Sequence, residues 1–273
     1  SDNHTVNTNG RTLQFPLNFN GVGGNWTLSN ALVANATTAL TLTNGQVNFN
    51  QQSLTFANIT VLTGNAGLSN LNTSLNFVHT SGNLTPVTGA ITSTTTGTYT
   101  IAAGSLLANA PFTVGAFTLT AGNVTANSTL TTGAFTHTAG NITVNTGGTA
   151  NTQAYTQNGG NIILNGGDLT CTTFTSNNAI ARTIQLGSSN INVTSTGTVV
   201  NMTTTTGLTA NGTGNINITN NGSTAITVTP GALAEANSIN YKFTAGTYPL
   251  TITAGSVKGL NFTGYAGTVT NTA

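Results

Sequence analysis

The chain has 273 residues, of which only four are Lys or Arg and three are Asp or Glu, so the net charge is +1 and 3% of the sequence is charged. A soluble domain normally carries about a quarter charged residues. So few cations and anions exclude a basic nucleic-acid-binding surface and an acidic tail.

The remaining composition predicts an all-β protein. The chain contains 61 Thr, 40 Asn and 33 Gly, and 37% of its residues are hydrophobic, which is enough for a buried core. Thr, Val, Ile and Phe favour strands, and the low net charge argues against disorder. No apolar run approaches the roughly 20 residues of a membrane-spanning helix, so we expect no membrane insertion.

Residues 1–25 differ from the rest and are predicted to form an N-terminal arm or cap. Asn9-Gly10 lies between two alternating segments, a pattern that predicts a β-hairpin. Such an arm can add a strand to an exposed sheet edge. We therefore expect self-assembly contacts here, carried by Val6, Thr8, Leu13 and Phe15.

Residues 26–273 carry an internal repeat, which is regular over 26–180. Segments 117–125 (FTLTAGNVT) and 135–143 (FTHTAGNIT) differ at two positions only. The same register, a large apolar residue five positions before Gly, recurs at Leu40, Ile59 and further positions in steps of 18–22 residues. Six aromatic residues share this slot and are predicted to form a core ladder: Phe77, Tyr99, Phe117, Phe135, Tyr155 and Phe174.

Over residues 181–273 the repeat becomes looser. The offset of five is kept by four pairs, Met202/Gly207, Ile226/Gly231, Tyr241/Gly246 and Leu250/Gly255. One stretch, 230–237 (PGALAEAN), has the Pro, Ala and Leu of a helical turn. A unit of 18–22 residues cannot bury its own apolar face, so stacking of units is required. We predict a parallel β-solenoid (β-helix) of about 12–14 coils, with an N-terminal hairpin or strand arm.

Residues that could carry catalysis are scarce and scattered. Asp2, Asp168 and Glu235 are far apart in sequence, whereas acid/base catalysis needs two titratable groups in one cleft. His79 and His137 would lie three coils apart in one ladder, roughly 14 Å, which is too far to share a metal ion. We therefore expect no enzyme activity, no metal and no cofactor. The single cysteine, Cys171, is expected to be a buried hydrophobe.

Asn and Thr are abundant enough to suggest surface functions. Asn-x-Ser/Thr triplets occur fifteen times, but many of them fall at repeated Gly-Asn turns. Turn geometry and stacked amide ladders explain these positions without a glycan. Thr-x-Thr segments such as 118–120 would form a grid of hydroxyls and methyls, as on ice-binding solenoids.

The imperfect repeats with TAGNVT, TAGNIT and NGGNII resemble those of secreted microbial β-helical surface proteins, the adhesin-passenger or filamentous-haemagglutinin type. The resemblance covers residues 26–264 and is one of repeat style, without a diagnostic motif. It implies an extracellular or cell-surface location and a role in attachment, surface coat or fibre. No functional residue is carried over from that family.

Three functions fit the sequence. A near-neutral solenoid lacks the repulsion that keeps monomers apart, so the first hypothesis is a structural subunit whose copies stack head to tail into a homopolymeric filament. The second is a cell-surface adhesin or glycan-binding stalk, with surface glycans as partners. The third is ice binding by the threonine grid.

Overall fold

The computed structural model describes residues 3–35, 38–48, 54–55, 58–61, 65–66, 72–73, 76–79, 83–84, 91–93, 98–109 and 111–272. These fall into two compact units, Ser1–Gly133 and Ala134–Ala273. Each unit is built from parallel strands stacked as a β-solenoid, and the chain makes about 10 turns in all. The predicted fold class is confirmed. The predicted division at residues 25 and 26 stays a prediction.

The first unit consists of short strands, and most of them have two to four residues. Their bounds are β1 (Asn3–Val6), β2 (Leu17–Leu28), β3 (Leu32–Val33), β4 (Ala39–Asn48), β5 (Leu54–Thr55), β6 (Asn58–Val61), β7 (Asn65–Ala66), β8 (Asn72–Thr73), β9 (Asn76–His79), β10 (Asn83–Leu84), β11 (Ile91–Ser93), β12 (Thr98–Ile101), β13 (Ser105–Ala108), β14 (Phe112–Val114), β15 (Ala116–Leu119), β16 (Asn123–Ala126) and β17 (Thr129–Thr132). Within the described residues of this unit, every pairing between strands is parallel.

Strands of successive coils pair side by side in this unit. The first sheet has the order β1-β2-β4-β6-β9-β12-β15, the second β7-β10-β13-β16 and the third β8-β11-β14-β17, while β3 pairs with β5. From β9 onwards each coil contributes one strand to each sheet in turn. Backbone hydrogen bonds therefore run between coils, which is the pattern that defines a parallel solenoid.

The second unit repeats the same arrangement. Its strands are β18 (Phe135–His137), β19 (Asn141–Asn145), β20 (Thr149–Thr152), β21 (Ala154–Gln157), β22 (Gly160–Asn165), β23 (Asp168–Cys171), β24 (Thr173–Thr175), β25 (Arg182–Gln185), β26 (Ile191–Val193), β27 (Gly197–Asn201), β28 (Leu208–Asn211), β29 (Asn215–Thr219), β30 (Ile226–Thr229), β31 (Asn240–Thr244), β32 (Leu250–Thr253), β33 (Gly259–Asn261) and β34 (Val269–Thr272). A 3₁₀ helix, Glu235–Asn237, lies between β30 and β31.

Three sheets also organise the second unit. Their orders are β18-β21-β24-β27-β30-β32-β34, β19-β22-β25-β28 and β20-β23-β26-β29-β31-β33. The 3₁₀ helix takes the place of a second-sheet strand in its coil and packs beside β28. A single turn is formed, closed by Asn237 N–H donating to the Ala234 carbonyl at 2.8 Å. The helical stretch predicted over 230–237 is therefore shorter than its sequence suggested.

Alternation of side chains builds the core. In β19 the residues Ile142 and Val144 are buried, while Asn141, Thr143 and Asn145, which alternate with them, face outward. Register then stacks like on like, since Ile142 pairs with Ile162 and Val144 with Leu164. The described strands contribute at most two buried side chains each, so the core exists only because coils lie on one another.

The predicted aromatic ladder residues lie in the first sheet. In the first unit Phe77 pairs in register with Tyr99 and Tyr99 with Phe117. In the second unit Phe135 pairs with Tyr155 and Tyr155 with Phe174. Five of the six side chains are buried, and the side chains of Phe77 and of His79 lie outside the described residues.

The predicted N-terminal hairpin is not formed. Asn9 and Gly10 do make a tight turn, with φ of 50° and 71° and Arg11 N–H donating to the Thr8 carbonyl at 2.9 Å. The segments on either side, however, pair in parallel with later residues: β1 pairs with β2, and Leu13 bridges to Ala34. Burying Val6 and Leu13 against the following coil satisfies these segments better than an isolated hairpin would.

The chain makes fewer turns than the 12–14 predicted because several coils are longer than the predicted repeat. Phe174 pairs with Val200 and Val200 with Val228, so the chain advances much further between these first-sheet partners than between Tyr99 and Phe117. The Tyr241/Gly246 pair also does not begin a coil in the first sheet, since Tyr241 pairs with Ile216 in the third sheet. The offset of five alone does not identify the sheet to which a strand belongs.

Candidate functional site

His137 is a buried polar residue within the apolar ladder of the second unit. Its Nε2 lies 3.1 Å from the Gly140 carbonyl oxygen and its Nδ1 lies 2.9 Å from the Tyr155 hydroxyl. Because a carbonyl only accepts, Nε2 carries the proton and Nδ1 accepts from Tyr155. Burial lowers the pKa of His137 to about 4, so the ring is neutral at pH 7. This histidine has both ring nitrogens occupied and acts as a structural residue.

Arg182 is a fully buried cation, and no described carboxylate lies beside it. Its Nε donates to the Ser176 hydroxyl at 2.8 Å. The two terminal nitrogens donate to five backbone carbonyls, those of Ser176, Asn178, Ile180, Thr204 and Thr206. Burial lowers the pKa of the guanidinium. Carbonyl dipoles therefore replace a counter-ion, and the side chain ties the corner at 176–180 to the corner at 204–206.

Amide ladders run along the outer faces of the sheets. In the second unit Asn161 donates to Asn141 at 2.7 Å, Asn165 to Asn145 at 3.1 Å and Asn217 to Asn192 at 2.9 Å. The predicted stacking of asparagine amides is confirmed at these positions. Since glycosylation uses the Asn side-chain nitrogen, Asn217 in its Asn-Ile-Thr triplet is already engaged as a donor.

Asp168 lies at the start of one such ladder. Its carboxylate accepts from Asn190 N–H at 2.7 Å and from the Asn192 side chain at 3.2 Å. Two neutral donors from the next coil thus satisfy this anion. A calcium loop would bring several carboxylates together, and Asp168 has instead a role in coil stacking.

Metal-binding side chains are not clustered in the described part of the chain. No group of three or more His, Cys, Asp or Glu that could hold a metal ion is found there. Cys171 is buried, and burial raises the pKa of its thiol. No described helix has the length and apolar character needed to cross a membrane.

Uncovered apolar side chains lie mainly in the first and last coils. Among the side chains that the structure describes, six large apolar ones are exposed: Phe15 (58%), Val22 (91%), Ile180 (55%), Leu260 (44%), Phe262 (37%) and Val269 (46%). Only Ile180 lies in the middle of the chain. Contiguous exposed apolar surface marks an interaction site more often than scattered single residues do.

The last coil carries the columns of the core to the surface. Tyr241, Phe243 and Leu250 are buried, each covered by a residue of the coil that follows. Leu260 covers Tyr241 and Val269 covers Leu250, each by pairing in register with it. Phe262 covers Phe243 by ring stacking, with centroids 5.2 Å apart and an angle of 13° between the ring planes. We call Leu260, Phe262 and Val269 the C-terminal layer.

The C-terminal layer has the geometry of the interior. The ring of Phe262 stacks on that of Phe243 much as Tyr155 stacks on Phe174. The ring centroids of Tyr155 and Phe174 are 5.8 Å apart, and the angle between their planes is 18°. Beside it, the Tyr265 hydroxyl lies 2.6 Å from the Tyr248 carbonyl and 2.9 Å from that of Thr268, which holds the turn in place. The layer is therefore an ordered coil surface whose outer side no described residue covers.

Strand edges lie beside the exposed apolar side chains of both the last and the first coil. Leu250 N–H donates to the Thr268 carbonyl, so in β34 the backbone groups of Val269 and Asn271 point away from β32. In β1 the Val6 carbonyl accepts from Ser29, so the backbone of Thr5 points away from β2. β34 and β1 are outermost in their sheets as described, and neither contains an Asp, Glu, Lys or Arg residue.

The predicted self-assembly residues of the N-terminal arm lie in the first coil. Val6 pairs with Leu28, and Thr8 bonds the Asn30 side chain and the Ala31 carbonyl. Leu13 N–H donates to Val33 at 2.8 Å. Val6, Thr8 and Leu13 are half-buried against the next coil, whereas Phe15 is exposed. Their part in self-assembly stays a prediction.

A bulge in β2 displays a second apolar side chain in the first unit. Asn20 and Asn25 lie opposite Asn44 and Gln46, so residues 21–24 project from the sheet with Val22 at their tip. Trp26 is half-buried, and its ring packs against Phe19 at 5.2 Å and against Gly21 and Gly24. The tryptophan is thus committed to the bulge and presents no open stacking platform.

The C-terminal layer was not anticipated from the sequence, although a signal was present. The segment 260–263 (LNFT) repeats the pattern of 241–244 (YKFT) at a spacing that falls within the range of the earlier repeats. That spacing places the two segments in successive coils. What the pattern does not reveal is that no further coil of the described chain lies over the second one.

Comparison with known proteins adds no relative. No protein-family profile, no curated protein and no solved structure matches the chain. The adhesin-like repeat style therefore has no support beyond the sequence itself, and function must be argued from the chain's own geometry.

Proposed function

We propose that the chain is an extracellular structural protein without catalytic activity, the subunit of a filament or surface fibre built by head-to-tail stacking of β-solenoids. The observation that carries the proposal is the C-terminal layer: core columns that are buried in earlier coils reach the surface with apolar side chains and strand edges uncovered. Exposed parallel edges pair readily with another chain unless charge, proline or a cap blocks them.

Charge supports the same proposal. With a net charge of +1 on 273 residues, copies of this chain repel one another very weakly. A contact between two different faces does not close on itself and so builds a fibre. The extracellular location is part of the proposal and rests on what the resemblance of the repeats to secreted microbial β-helical surface proteins implies. No described feature specifically favours the glycan-binding or ice-binding alternatives.

Electron microscopy of the purified chain over a concentration series tests the proposal. We expect unbranched filaments above a threshold concentration, with an axial repeat equal to the stack height of one subunit. Sedimentation velocity on the same samples should show monomer below the threshold and large species above it. Monomers alone at the highest soluble concentration would refute a filament-forming role.

A further inference from the structure

The uncovered C-terminal layer is shaped to continue a solenoid. Leu260 and Val269 extend columns that contain Tyr241 and Leu250, and Phe262 extends the stack on Phe243. Beside these side chains, β33 and β34 end the third and first sheets. A partner that covers the layer must therefore supply apolar side chains and at least one parallel strand edge, and the coil of another β-solenoid supplies both.

The first coil of this same chain has the matching features. Its strand β1 ends the first sheet with outward-facing backbone groups at Thr5, and Phe15 is exposed close to it in sequence. The described residues of the two end coils include no acid and one Lys or Arg each, Arg11 and Lys258, so neither surface is strongly charged. In such a contact β34 of one copy would meet β1 of the other. Both strand edges are uncharged, and apolar side chains lie beside each of them.

We infer that the C-terminal layer is the docking surface for the first coil of a second copy of this chain, with Phe15 of the incoming copy buried in the contact. This inference rests on the proposed filament and assigns its junction to named residues. The contact is heterologous, since each copy uses its C-terminal layer on one side and its N-terminal coil on the other. Buried apolar area and added strand pairing hold the junction together.

Charge placed on either face tests the assignment. Phe262→Asp and Val269→Asp put a carboxylate into the C-terminal layer, and Phe15→Asp puts one on the N-terminal coil. We expect each change to raise the threshold concentration for assembly at least tenfold, because an unpaired charge must then be desolvated. Ile180→Asp is the matched control: its side chain is equally exposed but lies outside both coils, and its threshold should match wild type.

Mixing the variants tests the head-to-tail geometry. A Phe15→Asp copy keeps an intact C-terminal layer, and a Phe262→Asp copy keeps an intact N-terminal coil. Each alone should sediment as a monomer, whereas the equimolar mixture should form a dimer and stop there. Circular dichroism and thermal unfolding verify that each variant is folded before it is mixed, and Val269→Asp replaces Phe262→Asp if the latter unfolds.

The outcomes separate the junction from the function. Filaments of wild type together with unchanged assembly of Phe262→Asp and Val269→Asp would overturn the junction and leave the fibre standing. Assembly of Phe15→Asp alone would show that the N-terminal coil is not the partner surface. If the wild-type chain stays monomeric, both the junction and the proposed filament function are wrong, and the C-terminal layer docks another partner.

Discussion

Several polar side chains in the core are satisfied mainly by backbone carbonyls, whereas the buried hydroxyls of Tyr241 and Tyr248 have no hydrogen-bond partner among the described residues. Arg182 donates to five carbonyls, and His137 uses both ring nitrogens on Gly140 and Tyr155. Gln157 follows the same rule, since its amide donates to the Gly160 and Thr183 carbonyls at 3.1 Å. A chain with so few charges has few ion pairs to form, and turn carbonyls at coil corners provide the buried acceptors instead.

The burial of His137 predicts loss of stability in acid. In the unfolded chain its pKa is near the ordinary value of 6.5, whereas burial lowers it to about 4 in the folded protein. Between these values the unfolded state binds more protons, so the free energy of unfolding falls as pH falls from about 6.5 to 4. The full loss is about 3 kcal/mol, and it is absent above pH 7.

Urea unfolding followed by circular dichroism over this pH range measures the effect. His137→Gln serves as the comparison, because a glutamine at this site can still donate to Gly140 and accept from Tyr155 but does not titrate. We expect the variant to lose less stability than wild type between pH 6.5 and 4. Parallel curves for the two proteins would show that His137 does not carry the acid sensitivity.

At the scale of elements, short strands are stabilised by the coils beside them. A strand such as β18 has three residues and would be unstable alone. Register gives it neighbours of the same kind, with Phe135 stacked on Tyr155 at 4.9 Å and Thr136 beside Thr156. Turns must then repeat with the strands, because each corner lies directly on the corner of the coil before it.

Gly160 is a corner where this close stacking admits no side chain. Its φ is +71°, and a Cβ there would collide with the Gly140 carbonyl oxygen and the His137 ring. Gly147 provides a matched control, since its φ is +85° but nothing lies within 4 Å of its Cβ position. We expect Gly147→Ala to cost about 1–2 kcal/mol of stability, because a side chain disfavours a left-handed backbone.

Gly160→Ala should cost about 2–5 kcal/mol, because overpacking adds about 1–3 kcal/mol to the same backbone term. Equilibrium unfolding of the two variants beside wild type measures both losses. Equal losses would indicate that the corner relaxes and that coil stacking tolerates a methyl group there.

The whole molecule combines near-neutral charge with uncovered end coils. Natural sheets usually protect their edges with charge, proline, bulges or covering elements. In the second unit the 3₁₀ helix covers the second sheet beside β28, whereas β33 and β34 remain uncovered by any described residue. The 3₁₀ helix thus caps the second sheet, whereas the first and third sheets can still pair with a further strand.

Assembly of such a molecule should be nearly independent of ionic strength. Attraction between charged faces is screened when the Debye length falls from about 10 Å at 0.1 M salt to about 3 Å at 1 M. Apolar burial and backbone pairing, by contrast, do not depend on net charge. We expect light-scattering thresholds in 0.1 M and 1 M NaCl to agree within about threefold, roughly 0.6 kcal/mol.

A tenfold or larger rise of the threshold in 1 M NaCl would mean that attraction between charged groups helps to hold the junction together. The Ile180→Asp variant, measured at the same two salt concentrations, is the control for nonspecific effects of salt on the chain.

The repeat in the sequence determined the fold class and the identity of the core ladder. A large apolar residue recurring every 18–22 residues between Gly or Asn turns can bury itself only by stacking, so local pattern and tertiary structure coincide. Of the hairpin predicted at Asn9-Gly10 only the tight turn is found, because the geometry of a tight turn is local whereas strand pairing is not.

Pairing partners, coil length and the uncovered surface were decided by the tertiary structure alone. The residues flanking Asn9-Gly10 could pair with each other or with the next coil, and only burial of Val6 on Leu28 selects between them. Leu260 and Phe262 have the same pattern as the buried Tyr241 and Phe243. Whether such a pattern is core or surface depends on what lies over it, and no local sequence carries that information.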